Sequence, residues 1–425
     1  MRKNVLYLAH RIPYPPNKGD KIRTFNEVKH LVEKHNLYLA FLVDDPADLK
    51  HVDALRDYCV DLAWERIEPR WRKIQVAPQL LLGKPLSLPY FYSAKLQTAI
   101  DAWAATRTFD SIVCFSSPMA EYVFKSDALA GHGAKRIMDF CDVDSDKWGQ
   151  YAKDAKFPMN LVYGLEGKRL LDYEARVNRD FDHSVFVTDN EARLFKHLVP
   201  EARNLEVVGN GVDFDYFNPA YRRGAACCAR VLGRDDAALG AACCAPTDVA
   251  GDDTVVNLVF TGAMDYHANV DAVVWFCSDI LPRLTRAGIN AHFSIVGGRP
   301  AAAVQALSQN PRVTVTGFVD DIRPWYAKAD VCVIPLRLAR GVQNKVLEAM
   351  AMEKPVVTTT KAAQGVGATH AQHLLVADDA ESIAAAVIEL CRNADARREL
   401  GQAGRKFVVE HFDWRRNMDK LENLI

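Results

Sequence analysis

Short apolar runs rich in Val, Ile, Leu and Phe recur along the chain, separated by longer amphipathic stretches. Continuous apolar runs bounded by turn residues predict strands buried on both faces of a parallel sheet. In the first half they fall at Val5–Ala9, Leu37–Val43, Ser111–Phe115, Arg136–Phe140, Ser184–Thr188 and Leu205–Val208. In the second half they fall at Val255–Thr261, His292–Val296, Arg312–Thr316, Val331–Ile334, Pro355–Thr359 and Leu374–Val376. The intervening stretches predict helices, so the fold class is α/β, and the pattern is present twice. Each half opens on a strand, a Gly- or Pro-bearing loop and an amphipathic helix: NVLYLAHRIPYPPNKGDKIRTF in the first, VVNLVFTGAMDYHANVDAVVWF in the second. Two Rossmann-like domains are expected to face each other across a cleft, the preferred place for a ligand.

Composition narrows this picture. The 425 residues carry 53 Lys+Arg against 54 Asp+Glu, a net charge of -1, which argues against nucleic-acid binding through bulk positive charge. No run approaches the ~18 apolar residues of a membrane span. The apolar core Val5–Ala9 is shorter than the ~7–15 residues of a secretory signal, so a buried first strand and a cytoplasmic protein are expected. Of 10 cysteines, four sit in AACCA at Ala225–Ala229 and again at Ala241–Ala245. Adjacent cysteines lack the spacing of a metal site, and a duplicated surface insertion is the expectation. It lies in the loop-like junction Asp213–Asp253.

Candidate chemistry concentrates in PLRLARGVQNKVLEAMAMEKPVV. A strand ends at Pro335, and a helix is predicted to start near Gln343 or Asn344. Acids are favoured in a helix's first turn, yet Arg337 and Arg340 precede this one and Lys345 sits within it. A phosphate or diphosphate would make that arrangement favourable, and Gly341 would let the backbone approach it. Glu348 shares a helix face with Asn344 and Lys345. It can accept hydrogen bonds from a ribose or pair with Lys345. Gly262 in TGAMDYHAN and Gly297 in IVGGRP follow strands directly, where a side chain would block a ligand, although GxGxxG is missing.

In the first half, Gly19 lies between Lys18 and Lys21, with Arg23 beyond; the segment can cap an anion or acceptor, or be a turn with exposed cations. In DFCDVDSDKW, Asp142, Asp144 and Asp146 alternate. A divalent-metal site, a carboxylate facing the cleft and a helix cap compete here. An EF-hand fails, because Lys147 and Lys153 stand where its glycine and final glutamate belong. Asp142 and Asp144 are the preferred cleft carboxylates and Asp146 the preferred cap.

Together these motifs resemble the family 4 retaining glycosyltransferases of GT-B fold, over nearly the whole chain. VVGNGVDFDYFNP resembles that family's interdomain segment, NLVFTGAMDYHANVDAVVWF the start of its nucleotide-sugar domain, and VTVTGFVDDIRPWYAKADVCVIPL its base-binding stretch, which includes Phe318. NKVLEAMAMEKPVV resembles the helix that holds ribose and diphosphate, and the stretch ending EHFDW the helix that crosses back to the first domain. The combination is closest to sugar transferases of exopolysaccharide clusters associated with exosortase systems.

The resemblance implies domains at 1–212 (with a returning segment 405–425) and 254–404, joined by 213–253. It implies retaining transfer of a hexose-like sugar from a nucleotide-diphosphate sugar to a glycan or polyprenyl-linked acceptor, with no metal and no further cofactor. Glu348 would bind the ribose; Gly262 and the turn Gly341, Val342, Gln343 and Asn344 would contact diphosphate and sugar. The family's earlier Glu is replaced by Arg340, and its basic residue in the first donor-domain loop is missing. Arg340 and Lys345 are therefore expected to supply the diphosphate's cations, with Asp142 or Asp144 near the donor sugar. Arg70–Ser93, which mixes Arg70, Arg72 and Lys73 with Trp71, can touch an anionic membrane at its inner face or be a core-packed helix and loop with cationic edges. A GT-B epimerase and a non-catalytic nucleotide-sugar scaffold are the alternatives.

Overall fold

The structure, a computed structural model, describes residues 2–76, 78–79, 83–221, 255–339 and 341–425. The duplicated AACCA segments and Arg340 lie outside the described residues. The chain forms two units: Met1–Asn210 with Trp414–Ile425, and Gly211–Asp413. The segment 405–425 thus divides at Trp414.

The first unit holds a seven-stranded sheet, β3-β2-β1-β4-β5-β6-β7. Its strands are β1 (Asn4–Ala9), β2 (Asn36–Val43), β3 (Asp61–Arg66), β4 (Ser111–Phe115), β5 (Lys135–Cys141), β6 (His183–Phe186) and β7 (Leu205–Val207). All pairings are parallel. Along β1 the side chains alternate between two cores: Leu6 and Leu8 pack into one, Val5, Tyr7 and Ala9 into the other. A strand covered on both faces must be apolar at every position, which is why these runs show no alternation. β3 was not expected from the sequence. DLAWER is an edge strand with no fully buried position, so it lacks a continuous apolar run.

The helix Trp414–Glu422 belongs to this unit. Met418, Leu421 and the terminal Ile425 enter the core that holds Val28 and Leu31 of the helix Gly19–Lys34. Around that contact Lys34 Nζ pairs with Asp419 (3.2 Å) and Glu422, and His30 Nε2 lies 3.2 Å from Glu422 Oε2. Asn417 Nδ2 donates to Asn210 O at 3.0 Å, tying the returning segment to the end of the unit's first stretch.

The second unit holds a six-stranded parallel sheet, β10-β9-β8-β11-β12-β13. These strands are β8 (Val256–Thr261), β9 (Ala291–Val296), β10 (Val313–Val315), β11 (Val331–Ile334), β12 (Val356–Thr358) and β13 (Leu375–Val376). Strand order reverses between β8 and β11, which are hydrogen-bonded neighbours. In open parallel sheets the connections on either side of such a reversal run to opposite faces, leaving a crevice at the carboxyl ends of the two strands. The segments that follow β8 and β11 begin at Gly262 and Pro335.

Candidate functional site

The crevice beyond β8 and β11 is built on glycines that only glycine can supply. Gly262 (φ +151°) and Gly297 (φ +151°) end β8 and β9 against each other. A Cβ on Gly297 would lie 1.8 Å from Gly262 O, and one on Gly262 would lie 2.7 Å from Asn269 Nδ2 and 3.0 Å from Lys345 Nζ. The missing side chains are what lets the lysine head reach the turn.

The helix Asn344–Ala351 starts as expected after the β11 loop, with Gln343 in the cap position and no side-chain cap. No acid occupies its first turn. Lys345 Nζ crosses to the helix His267–Trp275 and donates to Asn269 Oδ1 at 2.5 Å, 4.3 Å from the centre of the Phe260 ring. Burial brings its pKa down to about 7, Glu348 opposing the fall. Glu348 does not pair with it in any direct ion pair among the described residues. Instead Tyr326 Oη donates to Glu348 Oε2 at 2.9 Å, and Thr261 Oγ1 lies 2.8 Å from the same phenol. Burial raises the Glu348 pKa, with Tyr326 and Lys345 pulling the other way. Asn344 Oδ1 is buried without a hydrogen-bond partner among the described residues.

Phe318 stands 75% exposed, its Cβ 3.6 Å from where a Cβ on Gly298 would lie. A bare aromatic face beside a glycine turn suits a flat ligand. Gly341 (φ +57°) turns the β11 loop, and Gly365 packs so closely that its Cβ would lie 1.9 Å from Gly341 O. Val342 is half-buried against the unit's core. Arg337 is not an unopposed cation: Asp271, from the helix His267–Trp275, holds its Nε at 2.9 Å, and the guanidinium lies 5.0 Å from the Trp275 ring. The structure therefore gathers Gly262, Gly297, Lys345, Asn344 and Glu348 around one crevice, and turns Arg337 to an acid of its own. Asn269, Tyr326 and Thr261 join the site without having been read from the sequence.

In the first unit the expected residues have other partners. Gly19 opens its helix exposed, but Lys21 is buried on Asp48 (2.6 Å), and Arg23 is buried on Asp139 (2.6 Å), Val208 O and Asn210 Oδ1. Neither cation is available to an anion at Gly19, because each neutralises a buried carboxylate. Asp142 and Asp144 lie 3.0 Å from the same Lys147 Nζ. Val143, not Asp146, holds the cap position of the helix Asp144–Asp154, and Asp144 and Asp146 lie in its first turn. The amides there are taken by acids from elsewhere: Glu191 Oε2 accepts from Val143 N (2.8 Å), and Glu174 accepts from Ser145 N and Oγ. Burial pushes the Glu174 pKa up to about 8, Asp144 adding to it and Ser145 opposing. Asp20 is held well below the usual carboxylate range: burial raises it, but His10 and Arg11 more than reverse that.

A cavity of about 700 Å³ lies at the other end of the second sheet, before β11 and β12, with Lys354, Arg397 and Arg405 in its wall. Its cations are already committed, Arg398 to Asp395 at 2.8 Å. Lys354 Nζ donates to Ala327 O and Ala329 O, Arg397 to Leu390 O and Cys391 O, and Arg405 to Ala351 O and Phe217 O. They satisfy the ends of three helices, which leave carbonyls unpaired. The crevice at the strand reversal, not this cavity, is the candidate site.

Residues 256–393 match the family model described as Glycosyl transferases group 1. By structure the chain is similar to sucrose-phosphate synthase from Thermosynechococcus elongatus (16% identity, TM-score 0.70, covering 100% of this chain and 98% of that one). It is also similar to Anabaena HepE in complex with UDP and glucose (13%, TM-score 0.63, 99% of both chains). A glycosyltransferase from Rickettsia africae matches at 16% identity and TM-score 0.63, over 100% of this chain and 98% of that one. The fold is GT-B. Among curated proteins, an uncharacterized 44.6 kDa protein in the cps region of Klebsiella pneumoniae is 22% identical over 165 residues, 37% of this chain. The match spans 42% of that relative's length. No helix among the described residues is long and apolar enough to cross a membrane.

Proposed function

We propose that the chain is a retaining glycosyltransferase of family 4 that moves a sugar from a nucleotide-diphosphate sugar to the hydroxyl of a glycan or polyprenyl-linked acceptor. The observation that carries this is Lys345, held over the Gly262 turn at the strand reversal with no carboxylate paired to it among the described residues. The base would stack on exposed Phe318. Glu348 would take the ribose hydroxyls, and Lys345 with the amides opening the helix Asn344–Ala351 would meet the diphosphate. As the glycosidic bond breaks, charge grows on the leaving diphosphate, and a fixed cation in a partly dry crevice stabilises it. Protein cations in that role leave no need for a metal. Arg340 is proposed as the second cation. Asp142 and Asp144 are proposed to act near the sugar, their charge moderated by Lys147. The leaving phosphate can itself accept the acceptor's proton.

A role in exopolysaccharide synthesis is supported by the relative named for a cps region and by the resemblance of KGDKIRTF and DFCDVDSDKW. A cytoplasmic protein touching the inner membrane face is supported by Trp71 and Ile74, exposed at 66% and 64% on a helix that also carries Arg70 and Arg72. Flotation with anionic liposomes tests that contact, and failure to float removes it. The reaction is tested by incubating the protein with UDP-, GDP-, ADP- and dTDP-sugars and measuring nucleoside diphosphate release with and without polyprenyl-phosphate sugar. Release that rises with acceptor is expected. An epimerised sugar without acceptor, or no turnover at all, would defeat the proposal.

A further inference from the structure

The carboxylate of Glu348 is held from one side only. Tyr326, on the helix Arg323–Lys328, donates its Oη–H to Glu348 Oε2 at 2.9 Å. A phenol carries one proton, and an ionised carboxylate only accepts. The proton of the second bond to the phenol, 2.8 Å long, therefore comes from Thr261 Oγ1. Thr261 is the last residue of β8, immediately before the Gly262 turn. The three groups form a relay from β8 through the phenol to the helix Asn344–Ala351, which carries Glu348. Its first two members are closed to solvent, Thr261 at 4% exposure and Tyr326 at 1%. The Lys345 carbonyl lies 3.5 Å from Oη, a longer and weaker bond for the same proton. Burial, with the charge of Glu348 adding to it, raises the phenol pKa well above its usual value, so the group keeps its proton to give. Packing alone does not call for the hydroxyl, since a Phe ring would fill the same volume beside Phe217. Glu348 Oε1, in contrast, takes no hydrogen bond from any described residue.

We propose that Tyr326 is a positioning residue for the donor's ribose: with Thr261 behind it, it pins Oε2 of Glu348, leaves Oε1 as the acceptor for the ribose hydroxyls, and makes the site select ribonucleotide over deoxyribonucleotide donors. The proposal rests on the donor site proposed above. It adds a residue and a substrate class, UDP-, GDP- or ADP-sugars rather than dTDP-sugars. The physical reason is torsional. The last torsion of a Glu side chain is broad, so an unpinned carboxylate turns about its axis and either oxygen can meet ligand or water. Bound through Oε2, the group presents Oε1 at one place, and a fixed acceptor costs less to order when the ligand arrives. A deoxyribose lacks the 2′-hydroxyl and leaves that oxygen short of a donor in a half-buried site. A site built to bond a hydroxyl rejects the analogue without it, because its own polar group is left unpaired.

The test is calorimetric titration of UDP, GDP and ADP, each against its 2′-deoxy counterpart, into wild type, Tyr326→Phe, Thr261→Val, Glu348→Gln and the double variant of Tyr326→Phe with Glu348→Gln. Sugar pucker also differs between the two nucleotide series, but equally for every variant, so the change in the ratio of affinities is the readout. Wild type should favour one ribonucleotide over its deoxy form by at least about tenfold. In Tyr326→Phe the preference should fall to about threefold or less, and in Thr261→Val it should fall in the same direction. Glu348→Gln still accepts from Tyr326 but turns an amide, a donor, toward the ribose, so the preference should be lost there too. Because Tyr326 acts through Glu348, adding Tyr326→Phe to Glu348→Gln should change the preference no further. A tyrosine with only a structural role would weaken both nucleotide forms alike. A full preference in Tyr326→Phe, or in Thr261→Val should Tyr326→Phe not fold, therefore overturns the proposal. A preference that moves again in the double variant gives the tyrosine a route other than Glu348 and overturns it as well. Binding by wild type with no preference for ribose overturns the proposal and leaves the donor site standing. No binding by any of these nucleotides overturns both the proposal and the function.

Discussion

Replacing Lys345 by Met should make the empty protein more stable and the donor bind more weakly. The side chains have similar length, so Met can follow the same path beneath the Phe260 ring. Burial lowers the lysine pKa from 10.5 to about 7. A base whose folded pKa is depressed contributes its full stability above the unfolded value and loses it as pH falls through the folded one. Here the loss runs from pH 10.5 down to about 7 and is flat below. At about 1.36 kcal/mol per pH unit, wild type forgoes up to about 4 kcal/mol at neutral pH. Met escapes that cost but orphans Asn269 Oδ1, which returns about 1 kcal/mol. A net gain of about 2–3 kcal/mol is expected, shifting the second unit's melting by roughly 4–12 °C. Thermal and urea denaturation at pH 7 and pH 10 measure it, and the advantage over wild type should be nearly gone at pH 10. A Met variant that is less stable than wild type, or whose advantage does not depend on pH, would refute the electrostatic account of this residue.

Gly297→Ala places a Cβ 1.8 Å from Gly262 O at a φ of +151°, so a loss of at least about 3 kcal/mol is expected in urea unfolding; a loss under 1 kcal/mol would mean the strand ends separate freely. Glu348→Gln can still accept from Tyr326, so stability should hold within about 1 kcal/mol while nucleotide-sugar affinity falls about tenfold, measured by calorimetry. For Glu174 the folded pKa is raised from 4.5 to about 8, so the stability it contributes is greatest below 4.5, declines as pH rises to about 8, and is level above. Glu174→Gln should remove that decline, flattening the stability profile between pH 5 and pH 8, which chemical denaturation across pH checks.

The repeated strand-loop-helix pattern was legible because strands buried on both faces must be apolar throughout. β3 escaped for the opposite reason: DLAWER lies at a sheet edge with no fully buried position. The loops of the candidate site were legible too, since Gly262 and Gly297 mark close approach and Lys345 stands in a first turn without an acid. What the sequence could not show was which charges meet. Lys21 and Arg23 read either as part of an anion or acceptor cap at Gly19 or as exposed cations, yet Asp48 and Asp139, distant in the chain, bury them. Arg337 read as an anion binder, yet Asp271 holds it. Asn269 lies within the helix His267–Trp275, and only the pairing of β8 with β11 brings Lys345 to it. Local patterning reports burial; pairing across sheet neighbours needs the topology that puts β8 beside β11.

The central claim is that the crevice beyond β8 and β11 binds a nucleotide-diphosphate sugar. Thermal shift with saturating UDP-, GDP-, ADP- and dTDP-glucose tests it directly. Ligand at a hundred times its dissociation constant stabilises the folded state by about 2.7 kcal/mol. The account predicts a rise in melting temperature of several degrees with one of the four, reduced in Lys345→Met and in Glu348→Gln. No rise with any of them, or a rise that both variants keep in full, would contradict it.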